Sequence, residues 1–138
     1  MTPPAEHTTQ TRLERDFSIA AQRTLGCLRD LFPRTFGVVR PLKLGITEDI
    51  VARTSLSTDQ VCEFLRFYCN SPAYLRASLR PGAVRYDLDG QRVAAVSTAE
   101  RMHSTLRLEE LWGDRQARKR ERAFRAALLE PVTIDGER

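Results

Sequence analysis

Histidine and lysine are scarce in this sequence, which has only His7, His103, Lys43 and Lys119. With two histidines and no C-x-x-C pair, the chain lacks the ligand spacing of the common zinc sites. The cysteines have no histidine in the central region to serve as a base, which argues against nucleophilic catalysis. No glycine-rich phosphate loop of the P-loop or dinucleotide type is present. We therefore expect no metal, no cofactor and no enzymatic activity.

Long apolar runs are also missing. No stretch approaches the 18 or so apolar residues that a membrane-spanning helix needs, so we expect no membrane partner. The first twelve residues contain no apolar segment of the kind that marks a secretory signal. Cys62 and Cys69 would lie about 10 Å apart along a helix, too far for a disulfide. With Cys27 they make an odd number of thiols, and reduced thiols indicate a cytoplasmic protein.

What the chain does have is length for one domain and an excess of positive charge. Its 138 residues suit one compact domain with tails. We expect a disordered tail over 1–11, a folded domain over 12–112, and a basic helical extension with a frayed end over 113–138. The net charge is +4 at pH 7, which weakly favours an anionic partner.

The most informative stretch runs from residue 56 to residue 90. Ser57 and Gln60 have the spacing of a helix-capping box, and Leu56 and Val61 can form the hydrophobic staple around it. Apolar residues then recur with the period of an amphipathic helix at Val61, Phe64, Leu65 and Tyr68. Thr58, Cys62 and Arg66 fall on a different row of the same helix. Asn70-Ser71-Pro72 ends this helix, because the residue before a proline disfavours the α conformation.

A short helix over about 73–79 and a β-hairpin should follow. Val84, Tyr86 and Leu88 alternate with Arg85 and Asp87, the pattern of a half-buried strand with the charged pair on its polar face. Asp89-Gly90 predicts a type I′ turn, and residues 91–96 would form the return strand. The predicted fold class is therefore mostly α with a small β-hairpin element (α+β).

The flanking segments add helices on both sides. Helical spacing runs from Leu13 to Phe32, and residues 36–46 predict an extended loop or edge strand that presents Lys43. Thr47 would cap a short helix over 47–53, with Ile46 and Ile50 facing inward. A last long helix, capped by Ser97 or Thr98, would extend from about residue 100 to 129. Its docking stripe would consist of Met102, Leu106, Leu108, Leu111 and Trp112, and residues 114–125 form a basic run that is either a solvated face or an auxiliary phosphate contact.

Basic residues at scattered positions suggest a nucleic-acid site. Lys43, Arg66, Arg80 and Arg85 would converge if the loop, the capped helix and the hairpin share one concave face, although each is also explained as an ordinary surface charge. Free N–H groups at residues 57–59 would add an anion site at the helix start. Tyr74 would either stack on a base or sit in the core.

At these residues the chain resembles the ProQ/FinO-domain RNA chaperones of bacteria. The resemblance covers roughly residues 31–90. Its motifs are Leu31-Phe32-Pro33 with Phe36, the run from Arg40 to Ile46 followed by Asp49, Leu56-Ser57, Leu65-Arg66-x-Tyr68, Tyr74-Leu75, and Pro81-Gly82-Ala83-x-Arg85-x-Asp87-Leu88-Asp89-Gly90. The family's fold, mostly helical with a small β element, agrees with the pattern described above.

The resemblance implies roles for individual residues. Lys43, Tyr74 and Arg85 match positions that form a pocket for the RNA 3′ end, while Ser57 and Thr58 match a helix start that contacts duplex phosphates. Arg66 matches a basic helix position that faces RNA, and the hypothesis adds Arg80 from its charge alone. The chain departs from the family at Thr58 and Cys62, where relatives are often basic, which predicts weaker duplex binding.

The resulting interpretation is a cytoplasmic, monomeric RNA chaperone that binds terminator-like hairpins with a single-stranded 3′ tail. It would stabilise small RNAs and messenger 3′ ends and assist RNA–RNA pairing. Substituting Lys43, Tyr74 or Arg85 by alanine should weaken RNA binding without unfolding the domain. Two alternatives remain open: a DNA-binding regulator, because the helices around residues 70–72 resemble a helix-turn-helix, and a protein-interaction module that uses the last helix and Trp112.

Overall fold

The computed structural model describes residues 17–129, so the predicted tail over 1–11 and the frayed end after 129 lie outside it. The helices are α1 (Ile19–Leu31), α2 (Pro33–Phe36), α3 (Ile46–Arg53), α4 (Thr58–Cys69), α5 (Pro72–Ser78) and α6 (Thr98–Leu129), and the strands are β1 (Val84–Tyr86) and β2 (Arg92–Ala95). The prediction of a mostly α fold with one small β element is confirmed. No helix within 17–129 is both long enough and apolar enough to span a bilayer.

The core lies where α1 and α3 pack on α4. Four aromatic rings form its centre, with neighbouring centroids 5.0 to 5.9 Å apart: Phe36, Phe64, Tyr68 and Tyr74. Stacked and edge-on pairs of this kind add to the stabilisation that comes from apolar burial. The predicted inward face of α4 is confirmed, since Val61, Phe64 and Tyr68 are buried.

The start of α1 differs from the prediction of an unbroken helix over 13–32. Ser18 has an extended backbone, and its hydroxyl accepts a hydrogen bond from the Ala21 amide at 3.1 Å. Ser18 is thus an N-cap, a role that serine favours, and residues before Phe17 are outside the described part. The same hydroxyl donates to the Glu63 carboxylate at 2.5 Å, which links α1 to α4.

The start of α3 also differs. Gly45, not Thr47, is the N-cap residue, and it has a positive φ of 78°. A left-handed conformation there is one that glycine adopts without steric cost, and it allows the Ile46 amide to donate to the Lys43 carbonyl at 3.3 Å. Ile46 and Ile50 are buried, as expected.

The hairpin forms where predicted, but its turn is of another type. A type I′ turn needs positive φ at both central residues, whereas Gly90, at 77°, is the only residue of this turn with positive φ. The Asp87 carboxylate instead accepts from the amides of Asp89 and Gln91 at 3.0 and 2.9 Å. The ladder pairs Arg85 with Ala94 and has an irregularity just after Arg85.

The loop before α3 also pairs with β1. Leu42 forms a parallel bridge with Tyr86. The Tyr86 amide donates to the Pro41 carbonyl, and the Lys43 amide donates to the Tyr86 carbonyl, both at 2.9 Å. The predicted extended loop is therefore held to β1 by backbone hydrogen bonds, which determine where Lys43 lies.

The helix α6 has 32 residues, which corresponds to roughly 48 Å. Ser97 and Glu100 form a reciprocal capping box at its start. The predicted docking stripe is largely wrong, because Met102, Leu106 and Trp112 are 62, 54 and 60% exposed. The helix docks on α5 by another face that contains buried Ser104, and the Arg101 guanidinium donates to carbonyls at the end of α5.

Candidate nucleic-acid interface

Three of the predicted site residues meet around Leu42. The Leu42 amide donates to the Tyr74 hydroxyl at 2.9 Å, and the Leu42 carbonyl accepts from Arg85 Nη1 at 2.7 Å. Lys43 is the next residue in the chain. Lys43, Tyr74 and Arg85 all border one cavity of about 280 Å³. Of the four basic residues expected to converge, only Lys43 and Arg85 meet here, and the third residue at the cavity, Tyr74, comes from α5 and not from the capped helix.

The side chain of Arg85 does not lie on the polar face of the hairpin, as the strand pattern predicts. Arg85 is 6% exposed, because the loop around Leu42 and the start of α6 cover that face of β1. Its guanidinium forms an ion pair with the carboxylate of Glu100, whose other oxygen accepts from the Ser97 hydroxyl at 2.7 Å. Arg85 thus joins three segments of the fold and presents only a small part of its surface to the cavity.

Tyr74 belongs to the core, the second of the two roles considered for it. It is 9% exposed, and its ring packs edge-on against Tyr68 with centroids 5.6 Å apart. Burial raises the pKa of the Tyr74 phenol, so it remains a neutral hydroxyl at physiological pH. Little of the ring is free for a base to stack on, and the residue acts at the cavity mainly by holding the Leu42 amide.

Lys43 is the accessible cation of the cavity. Its side chain is 41% exposed, and Nζ lies 2.7 Å from the Asp49 carboxylate. The hydrogen bond and the charge of Asp49 raise the pKa of the Lys43 ammonium, so Lys43 is fully charged at neutral pH. Part of this charge is directed at Asp49 and is not free for a ligand.

A second cavity of about 350 Å³ lies beside the first. Both cavities are bordered by Cys69, Tyr74, Arg85 and Glu100, so the Arg85–Glu100 pair lies at the boundary between them. Burial raises the pKa of the Cys69 thiol to about 11, which keeps it protonated near neutral pH. Sequence reasoning missed Glu100 as a site residue; the Ser97-x-x-Glu100 spacing was its only signal.

The start of α4 lies at some distance from the cavities. Leu65 and Cys69 line the first cavity, and they follow Thr58 by seven and eleven residues, which corresponds to about 10 and 16 Å along the helix. The expectation of a free N–H group at Ser57 is wrong, because this amide donates to Gln60 Oε1 at 2.8 Å within the capping box. The amides of Thr58 and Asp59 donate no hydrogen bond to any residue in 17–129.

Arg66 and Arg80 are both exposed and border neither cavity. The Arg66 guanidinium lies 5.3 Å from the centroid of the Phe67 ring. The Arg80 carbonyl accepts from the Arg101 guanidinium at 3.2 Å, and the Arg80 side chain is exposed. These arginines are available to an anionic ligand outside the cavities.

The helix α5 lacks the exposed face that a DNA-recognition helix needs. Of its seven residues, Tyr74, Leu75, Ala77 and Ser78 are buried, and only Arg76 is exposed. A recognition helix must present several side chains to the major groove. The geometry therefore does not favour the helix-turn-helix alternative. Within the described range, no three His, Cys, Asp or Glu side chains cluster so that they would hold a metal ion.

Comparison with known proteins identifies the family. The model of the ProQ/FINO family matches residues 19–123. The chain belongs to the ProQ/FinO family. Among solved structures, this ProQ/FinO chain is similar to a FinO-like RNA chaperone from Neisseria meningitidis, with 25% identity, a TM-score of 0.55, and coverage of 61% of this chain and 88% of that one. It is also similar to a ProQ homologue from Legionella pneumophila, with 29% identity, a TM-score of 0.56, and coverage of 70% and 85%.

Proposed function

We propose that this ProQ/FinO protein is an RNA-binding chaperone that recognises a hairpin with a single-stranded 3′ tail. It acts in the cytoplasm as a monomer, stabilises small RNAs and messenger 3′ ends, and assists RNA–RNA pairing without covalent chemistry. The observation that carries this proposal is the cavity bordered by Lys43, Tyr74 and Arg85, in a chain of this family.

The size of the cavity suits the end of a strand. At about 280 Å³, it is at the lower limit of typical small-ligand pockets, so it admits a terminal nucleoside and not a duplex. Lys43 is the cation that reaches the adjoining phosphate, while Tyr74 and Arg85 hold the loop that carries it. Single-stranded ends suit such a site because their bases are unstacked and their hydroxyl groups are accessible.

The stem of the hairpin would lie along the start of α4. The free amides of Thr58 and Asp59, with the hydroxyls of Ser57 and Thr58, form a phosphate-binding helix end. This end is about 10 to 16 Å from the cavity along the helix, so one RNA can place its 3′ end in the cavity and its stem phosphates at Ser57 and Thr58. Arg66 and Arg80 are the exposed cations assigned to neighbouring phosphates.

The direct test uses three ligands of equal length: a hairpin RNA with a 3′ hydroxyl, the same RNA with a 3′ phosphate, and duplex DNA. We expect the 3′-hydroxyl hairpin to bind most tightly by fluorescence anisotropy, because a terminal phosphate adds bulk and charge to a small cavity that contains Glu100. Equal affinity for all three ligands, or a preference for DNA, would contradict the proposal.

Lys43→Ala tests the cavity itself. We expect a severalfold loss of affinity for the 3′-hydroxyl hairpin, with little change in stability because the Lys43 side chain is partly exposed. The matched control is Arg23→Ala, which removes one exposed charge from α1 at a position that borders neither cavity. If the two variants lose the same affinity, Lys43 acts only through net charge and the site assignment fails.

A further inference from the structure

One face of α6 changes its chemistry along the helix. In the first half it carries Glu100, Ser104, Leu108 and Leu111, which are buried or partly buried. In the second half the same face carries four exposed cations, which we call the basic ledge: Arg115, Arg118, Lys119 and Arg122. At 100° per residue, these eight side chains lie within about 50° of one line along the helix. The ledge is therefore a continuation of the face by which α6 docks on the domain.

The ledge residues form no ion pair within the described part of the chain. The ion pairs of the long helix beyond Glu100 are Arg107–Glu110 at 2.8 Å and Arg125–Glu121 at 2.6 Å, and neither includes a ledge residue. Four like charges thus lie within eight residues of helix, which span about 10 Å. Such a row is electrostatically unfavourable by itself and is relieved when it contacts a row of anions.

The ledge lies on the same side of α6 as the second cavity. Glu100 and Ser104 border this cavity and belong to the face that the ledge continues. Arg115 and Arg122 follow Ser104 by eleven and eighteen residues, which places them about 16 and 27 Å farther along the helix axis. A ligand that leaves the cavity along the docking face of α6 therefore passes the ledge.

We propose that the basic ledge binds the phosphates of an RNA whose 3′ end occupies the first cavity, the one bordered by Lys43, Tyr74 and Arg85. The inference rests on the proposed function, and it adds a contact surface for the body of the RNA. A polyphosphate backbone matches a row of closely spaced arginine and lysine side chains. An anionic membrane fits less well, because the exposed apolar residues Phe124 and Leu128 lie on the other side of the helix from the ledge.

The test neutralises the ledge in the full chain with Arg115→Gln, Arg118→Gln, Lys119→Gln and Arg122→Gln combined. Glutamine is a good helix former, so α6 should persist, and circular dichroism checks that it does. For a long hairpin RNA we expect at least a tenfold loss of affinity at low salt. The slope of log affinity against log salt should become shallower by about 3, at 0.7 to 0.9 for each lost phosphate contact. An RNA too short to reach about 16 Å beyond the cavity should bind equally well to both proteins.

The matched control compares two single substitutions on the same helix. Arg118→Gln is on the ledge, whereas Arg120→Gln removes an identical charge on a face turned by about 160° from Arg118 and Arg122 and by about 100° from Lys119. We expect a severalfold loss from the first and less than a twofold loss from the second. Equal losses of RNA affinity in the two single variants, or an unchanged salt slope in the fourfold variant, would overturn the proposal that the ledge binds RNA. The proposed function would still stand if the wild-type protein binds hairpin RNA.

Two other outcomes are distinguishable from these. If the unaltered protein binds no RNA, the proposed function and the ledge both fall. If the fourfold variant keeps its RNA affinity but loses binding to vesicles that contain anionic lipid, the ledge is a membrane contact and the RNA assignment is wrong.

Discussion

The cavity and the basic ledge use positive charge in different ways. At the cavity, Arg85 is buried and paired with Glu100, and Lys43 is hydrogen-bonded to Asp49. On the ledge, Arg118 and Arg122 are exposed and have no acidic partner among residues 17–129. Each cavity cation thus has a carboxylate that determines where it points, whereas each ledge cation is held only by the helix.

This difference teaches that charge count alone does not locate a binding site. A buried ion pair is costly to desolvate but gives a unique geometry when its hydrogen bonds are satisfied. An exposed, unpaired cation gives no geometry, but it adds salt-sensitive affinity for a phosphate backbone. The cavity is suited to recognise one end of an RNA, and the ledge is suited to retain the rest of it.

Substitutions at the cavity and on the ledge should differ most in their effect on the free energy of unfolding. Arg85→Ala leaves the Leu42 carbonyl and the Glu100 carboxylate without their partner, and breaking a buried pair in this way costs about 3 kcal/mol. This replaces the expectation from sequence that Arg85→Ala would not affect folding. Arg122→Ala on the ledge should change the free energy of unfolding by less than about 0.5 kcal/mol. Urea denaturation measures both, and similar midpoints would mean that Arg85 does not hold the fold together.

Tyr74→Phe should lower the free energy of unfolding by less than Arg85→Ala does. The substitution keeps the buried ring but removes the hydroxyl that accepts from the Leu42 amide, and an unsatisfied buried donor costs about 1 to 2 kcal/mol. Because Leu42 precedes Lys43, affinity for the 3′-hydroxyl hairpin should fall severalfold, with an unchanged salt slope. A shallower slope would show that Tyr74→Phe removes a phosphate contact, and the distinction from the ledge would be lost.

The smallest effect concerns the carboxylate beside Lys43. Asp49→Asn should raise RNA affinity by about threefold, because the ammonium is released from a surface ion pair; no ledge cation has an equivalent carboxylate to remove. Since Asp49 raises the Lys43 pKa, the stabilising pair is complete below the ordinary lysine pKa and is lost as pH rises through the raised value. Affinity titrated from pH 6 to 9 should therefore show no loss of the Lys43 charge in either protein. A decline in RNA affinity between pH 6 and 9 that is absent in Lys43→Met would contradict the conclusion that Lys43 stays charged in this range.

Local features of the fold were readable from the sequence. The Ser57–Gln60 capping box and the buried face of α4 need only neighbouring residues, and both are present. The family resemblance also placed Lys43, Tyr74 and Arg85 together, and they do border one cavity. Their contact with RNA remains a prediction, as do the domain limits, since α6 continues without a break through Gly113.

The predictions that were wrong concern residues that pack against a segment distant in the sequence. The alternation around Arg85 indicates a solvent-facing side chain, but Leu42 and Glu100, 43 and 15 residues away in the chain, cover it. Met102 and Leu106 have the character of a docking stripe, yet α6 docks by the face of Ser104 because Arg101 binds carbonyls at the end of α5. The residue pattern of one helix or strand does not predict which side chains of a distant segment will pack against it.

The sequence by itself determined the helices, the hairpin and the excess of basic charge, because caps, apolar periods and turn residues act over a few positions. Only the tertiary structure decided which cations are paired and which are free. That choice depends on long-range packing: the carboxylate of Glu100 reaches Arg85 because α6 begins beside β1, whereas Arg118 and Arg122 lie farther along α6 and form no ion pair with any residue in 17–129.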